Sequence, residues 1–226
     1  MKKQVLYLLG VIAVMISSSF SPGPPSENLK GIAKTIEMVS VAGRSSSTGM
    51  AKKYGIKSGI ITFETTMEMS RMKIPGKKMV FFDDYGMKEC EETYEGDHLK
   101  ESFVSDGKER FKLFHANKTV YKVGTASNGI AMPFNWDEVS QKDKDAGIAK
   151  QGGKVTVAGK DCETFTYVTE TAGTATTTKY AGWNHILLSM ELSTAEMKSS
   201  QIVVKFEENA VVAAEKFRAP AGYKVL

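Results

Sequence analysis

From Tyr54 onward apolar and polar positions alternate along the chain, most clearly from Gly59 to Met69. There Ile61, Phe63, Thr65, Met67 and Met69 point one way, and Thr62, Glu64, Thr66 and Glu68 the other. That period of two predicts a strand with one buried face and one wetted face. Pro75-Gly76 predicts a turn into Met79 to Phe82, apolar on both faces, and Asp83-Asp84-Tyr85-Gly86 a second turn into Met87 to Tyr94. Leu99 to Ser105, the Asp106-Gly107 hairpin signal, Glu109 to Ala116 and Thr119 to Val123 continue an antiparallel meander with short connections. The segment Gly124 to Asn135 interrupts it. Asp137 to Gly147 is charged and helix-compatible, with Asn135 or Asp137 as its cap. Strands resume at Lys154 to Ala158, Cys162 to Thr169, Thr174 to Tyr180, Ile186 to Leu192, Ile202 to Phe206 and Val211 to Phe217. Roughly a dozen strands against two or three helices predict a mainly β fold built as one domain over residues 54–226.

The start of the chain follows other rules. Met1-Lys2-Lys3 is a short basic head, and Val5 to Ile16 is an apolar run broken only by Gly10. That run is shorter than the roughly 20 apolar residues of a membrane-spanning helix, and it ends in Ser17, Ser18 and Ser19, so it predicts a signal peptide over residues 1–19, cleaved after Ser19. The expected product is exported to the periplasm or secreted, without stable membrane insertion. Residues 20–53 then read as a leader, Pro/Ser/Gly-rich from Phe20 to Pro25. Within them Ser26 caps a helix that places Leu29, Ile32, Ala33 and Ile36 on one face, and small polar residues follow from Gly43 to Gly49.

Charge excludes one class of partner. Without Lys2 and Lys3 the 30 basic residues fall to 28 against 26 acidic ones, mixed along the chain rather than gathered into a basic face, so nucleic acid is not an expected partner. Two cysteines, Cys90 and Cys162, leave two readings open in an oxidising compartment: an intramolecular disulfide, or two buried small apolar side chains on strands.

Candidate chemistry is sparse. His98, His115 and His185 lie outside any nucleophile elbow, zinc-spaced pair or phosphate loop, so no catalytic residue and no cofactor are expected. Asp83 and Asp84 lack the oxygen-rich loop that calcium needs and read as turn residues. Asn117-Lys118-Thr119 matches a glycosylation sequon and reads equally as a hairpin turn. The sharpest local signal is Met67, Met69 and Met72, a Met-x-Met-x-x-Met run whose soft thioethers suit Cu(I). On a regular strand Met72 falls on the face opposite Met67 and Met69, unless the chain turns near Ser70. Met67 and Met69 also continue the apolar face begun by Ile61 and Phe63, and flexible Met side chains suit a cavity that accepts variable apolar shapes.

Four stretches carry a family resemblance: Tyr54-Gly55-Ile56-Lys57-Ser58-Gly59-Ile60, Phe81-Phe82-Asp83-Asp84-Tyr85-Gly86, Val157-Ala158-Gly159-Lys160-Asp161-Cys162, and Phe217-Arg218-Ala219-Pro220-Ala221-Gly222-Tyr223. From about residue 54 onward the chain resembles a divergent branch of the LolA-like periplasmic carriers, often labelled outer-membrane lipoprotein-sorting proteins. The resemblance implies a strongly curved antiparallel sheet forming an unclosed barrel with helices on its concave side. It implies binding rather than catalysis, with a lipid, acyl chain or lipoprotein as ligand and a monomer as the carrier. Those carriers use an arginine on an early strand in ligand release; Arg71 lies near the end of the first long strand, and that role is not carried over to it.

Three readings result. In the first, a concave face lined by some of Ile61, Phe63, Met67, Met69, Met79, Phe81, Phe111 and Leu113 holds an apolar ligand. In the second, Met67, Met69 and Met72 bind copper. In the third, the chain is a structural module whose core is simply filled.

Overall fold

The computed structural model describes residues 52–69, 72–125, 136–171 and 174–226. The expected signal peptide, the helix after Ser26 and all of the leader but Lys52 and Lys53 lie outside the described residues. The remainder forms one twelve-stranded sheet that does not close into a barrel.

Two antiparallel meanders build it. The first runs through β1 (Gly59–Met69), β2 (Met72–Asp83), β3 (Lys88–Glu95), β4 (His98–Asp106), β5 (Glu109–Phe114) and β6 (Thr119–Thr125). The second comprises β7 (Ala149–Val157), β8 (Lys160–Thr171), β9 (Thr174–Trp183), β10 (Ile186–Ser193) and β11 (Met197–Glu208). They join along a seam in which β1 pairs antiparallel with β11, from Gly59↔Glu208 to Met69↔Met197. The short β12 (Lys224–Val225) lies parallel to β6 at the far edge. β7 touches β11 although three strands separate them in the sheet, so the sheet curls strongly at that end. Register shifts within the β1–β11 and β10–β9 pairs mark bulges, which add the twist such curling requires.

β1 has the bounds its alternation predicts. The Asp106-Gly107 turn also forms as read: Asp106 Oδ1 accepts the amides of Lys108 and Glu109, each at 2.8 Å, and Gly107 takes φ +94°. Those amides hold the Asp106 carboxyl below its usual pKa.

Pro75-Gly76 corrects the sequence reading, because it is not a turn. Both residues lie within β2, opposite Thr66 and Thr65, and the chain reverses between Met69 and Met72. Proline is tolerated there because the β2–β3 pairing starts only at Lys77. Residues 72–76 therefore project past β3, and the missing N–H of Pro75 leaves no ladder bond unmade on that side.

The turn at Asp84–Gly86 occurs as expected, with Asp84, Tyr85 and Gly86 all at positive φ. A Cβ at Gly86 would lie 2.5 Å from the Tyr54 ring, so both conformation and contact demand glycine. The Tyr85 carbonyl accepts the amides of Lys53 and Tyr54, which ties the start of the domain to this turn.

The helix expected over Asp137–Gly147 is shorter. It is a single α-helix, α1 (Gln141–Asp145), capped by Ser140, whose Oγ accepts the Asp143 amide, rather than by Asn135 or Asp137. A 3-10 turn at Trp136–Glu138 precedes it, and Trp136 and Val139 pack on Phe165, Tyr167 and Tyr180. Val211–Phe217 is not a strand. β11 already has neighbours on both sides, Asn209 breaks it with φ +52°, and a 3-10 turn forms at Ala214–Phe217 instead.

Candidate ligand-binding face

Cross-strand partners share a face, so the registers sort the candidate residues. Ile61 pairs with Val80, and Phe63 with Lys78 and Val203. Two residues further, Thr65 faces Gln201, which faces Met190, and the next row holds Leu192, Ser199, Met67 and Ile74. Met69 follows, between Met197 and Met72. All of these lie on the Phe63 face. Phe165 and Tyr180 belong to it too, through the pair Tyr180↔Met190, so the Trp136–Asp145 segment covers part of the same face.

The other four candidates point away. Phe81 pairs with Ile60 and Cys90, and Met79 with Thr62 and Glu92. Phe111 and Leu113 continue those rows through Val104 and Ser102. The eight residues selected from sequence thus divide between two faces: Ile61, Phe63, Met67 and Met69 on one, Met79, Phe81, Phe111 and Leu113 on the other.

The Phe81 face is occupied. Phe217 is buried against Phe81, Cys90, Val104, Leu113 and Val120, with Val212, Ala219 and Tyr223 beside it. The Lys216 ammonium bonds buried Glu92 and sits 4.2 Å from the Phe81 ring centroid. Lys224 N donates to Lys118 O and Leu226 N to Val120 O, so residues 212–226 cross this face and finish along β6.

His115 belongs to that clamp, an arrangement the sequence does not announce. Its Nε2 lies 2.7 Å from Ser102 Oγ and its Nδ1 2.6 Å from the Tyr223 hydroxyl. Ser102 is only 2% exposed, and through His115 it helps to hold Tyr223 down. Burial lowers the His115 pKa, aided by Lys216 and opposed by Glu92. The unfolded chain therefore takes up this proton more readily than the folded one. Stability from the neutral ring is present above the ordinary imidazole pKa of about 6.5 and is lost as pH falls through the lowered folded value. Melting temperatures taken between about pH 7.5 and pH 5 should fall on acidification, and His115→Gln should flatten that slope.

The Phe63 face has three zones. Towards β7–β10 it joins an apolar cluster in which Ile61, Phe63, Val80 and Phe82 meet Val203, Leu188, Ala181, Cys162 and Val157, drawn from seven contiguous strands. Towards β3–β5 it is charged but buried. Lys78 pairs with Glu91 at 3.5 Å, Lys112 with Glu101 at 2.9 Å, and Lys53 with Glu89. Arg110 lies beside Ser105 in the same zone, its pKa lowered by burial. The third zone is the projecting β1–β2 hairpin, where apolar side chains emerge into solvent: Ile61 is 1% exposed and Phe63 4%, Met67 and Met69 are half-buried, Ile74 is 42% exposed and Met72 60%.

A cleft of about 380 Å³ lies by the same hairpin, lined by Thr66, Glu68, Lys73, Lys179, Glu191 and Lys198 among others. Thr66 and Glu68 alternate with Met67 and Met69, so this polar cleft belongs to the opposite face.

Cys90 and Cys162 are free and buried in different clusters, Cys90 under Phe217 and Cys162 near Val157. Burial pushes the Cys90 thiol up to about 12, and it raises Cys162 as well, so both stay protonated and poorly nucleophilic. His98 opens β4 and His185 sits in the β9–β10 turn, both exposed. Among the described residues no three His, Cys, Asp or Glu side chains group to hold a metal, and no helix is long and apolar enough to cross a membrane.

No protein-family model matches the sequence, and no curated protein does. Solved structures similar to this chain include an uncharacterized conserved protein from Thermus thermophilus, at 10% identity and a TM-score of 0.49 over 75% of this chain and 90% of that one. A LolA superfamily protein from Nitrosomonas europaea is similar at 5% identity and a TM-score of 0.35, over 77% of this chain and 98% of that one. The Pseudomonas aeruginosa MucA/MucB complex is similar at 13% identity and a TM-score of 0.44, over 75% of this chain and 58% of that one.

Proposed function

We propose that this chain is an exported, non-enzymatic binding protein that holds an apolar ligand, namely a lipid, an acyl chain or the acyl groups of a lipoprotein, against its Phe63 face. One observation carries this reading. Apolar side chains line the Phe63 face from a closed core at Ile61 and Phe63, across the Thr65–Gln201 row, to half-buried Met67 and Met69 and the exposed Met72 and Ile74. Such a grading gives an acyl chain an open mouth and a dry end, and burial at about 25 cal/mol per Å² supplies affinity without fixing ligand identity. Flexible Met side chains in the middle of the strip accommodate chains of different shape.

Displacement of a fluorescent fatty acid from the purified protein tests the proposal. Binding in the micromolar range should be lost in Met72→Glu and Ile74→Glu, which put charge in the mouth at exposed positions. An unliganded mass in native mass spectra of envelope-purified protein, together with no uptake of the probe, would remove the reading.

A further inference from the structure

The β1–β11 and β1–β2 registers place Met197, distant in sequence, side by side with Met69 and Met72. Met69 is the cross-strand partner of Met72 on β2 and of Met197 on β11, so three thioethers stand abreast on adjacent strands and on one face. Met67, two residues earlier on β1, adds a fourth on the same face, between Ile74 and Ser199. The pairing of Met69 with Met72 places Met72 on this side.

Cβ atoms of directly opposed residues lie about 5 Å apart, and three rotatable bonds let each Met sulfur swing into the gap towards its neighbour. The sulfurs of Met72, Met69 and Met197 thus come within reach of a single ion. Core packing does not account for the group, because Met72 is 60% exposed and Ile74 42%. β3 pairs with β2 only from Lys77, so among the described residues no further strand flanks Met72, which faces solvent.

We infer that Met67, Met69, Met72 and Met197 form a binding site for a soft monovalent cation, Cu(I) or Ag(I). Uncharged thioethers are soft donors that favour such ions over Ca²⁺, Mg²⁺ or Zn²⁺, which require oxygen, imidazole or thiolate ligands. Met67, Met69 and Met72 are common to this site and the acyl-chain strip, whereas Met197 belongs to this site alone.

Anaerobic titration of the full chain with Cu(I) under reducing conditions, against a chromogenic Cu(I) chelator, tests the inference. Met→Leu changes keep apolar volume and remove only the sulfur. One equivalent of Cu(I) should bind, with affinity falling tenfold or more in Met69→Leu and in Met197→Leu. The variant Met79→Leu, on the opposite face, should bind like the parent. Methyl NMR of labelled methionines should show the four named resonances shifting with the first equivalent. Unchanged affinity in the triple variant Met69→Leu/Met72→Leu/Met197→Leu, or shifts confined to other methionines, would overturn the inference. Fatty-acid displacement by Met197→Leu, the one ligand outside the acyl-chain strip, should match the parent, which separates failure of this site from failure of the acyl-chain reading.

Discussion

Replacing Phe82 by Ala is expected to lower the unfolding free energy by about 4 kcal/mol, near the upper end for core truncations. The ring is 0% exposed and meets Tyr54 edge-on with centroids 4.8 Å apart. It also covers its cross-strand partner Gly59, where an added Cβ would lie 2.7 Å from the ring. The truncation therefore opens a cavity bounded by a glycine, which has no side chain to relax into it, and it releases the Tyr54 segment from the β2–β3 turn. Urea denaturation should show a lower midpoint with an unchanged slope. A loss under about 1 kcal/mol would mean that the entry segment refills the space.

Lys112→Met should cost about 3 kcal/mol, a penalty typical of an orphaned buried charge. Glu101 is 4% exposed and Lys112 Nζ lies 2.9 Å from it, with the Phe103 and Phe114 ring centroids 4.9 and 4.8 Å from the same ammonium. The single substitution leaves a carboxylate in an apolar setting without its counter-ion. Lys112→Met/Glu101→Leu removes both charges and should recover most of the loss, since a buried pair offers little over apolar residues of similar volume. A double variant as unstable as the single one would show that Glu101 answers mainly to other neighbours. Both proteins can be compared by denaturant midpoints at neutral pH.

Local signals and side-chain period carried much of this fold. The strict alternation from Gly59 to Met69 gave β1 its bounds, and Asp106-Gly107 gave a hairpin because its turn chemistry is self-contained. Pro75-Gly76 misled because whether proline is tolerated depends on where the neighbouring strand begins, and that is set by β3. Phe81 and Phe82 are both buried and both large, so composition did not say which faces Ile61. That parity appears only in the register, and it moved Met79, Phe81, Phe111 and Leu113 beneath the Phe217 segment. Met197 was invisible as a partner of Met69 for a similar reason, since no local pattern encodes pairing between the first strand and the eleventh.

That same pairing governs how the chain can assemble. Each meander forms from neighbours in sequence, whereas the seam joins strands separated by most of the domain, so its closure bears the largest loop entropy. Until it closes, the eleven residues of β1 and the twelve of β11 each offer an unsatisfied row of amides and carbonyls. Those rows match each other in register whether they belong to one molecule or two. At high concentration during refolding, β11 of one copy can dock on β1 of a second, giving a domain-swapped dimer with the monomer's own hydrogen bonds.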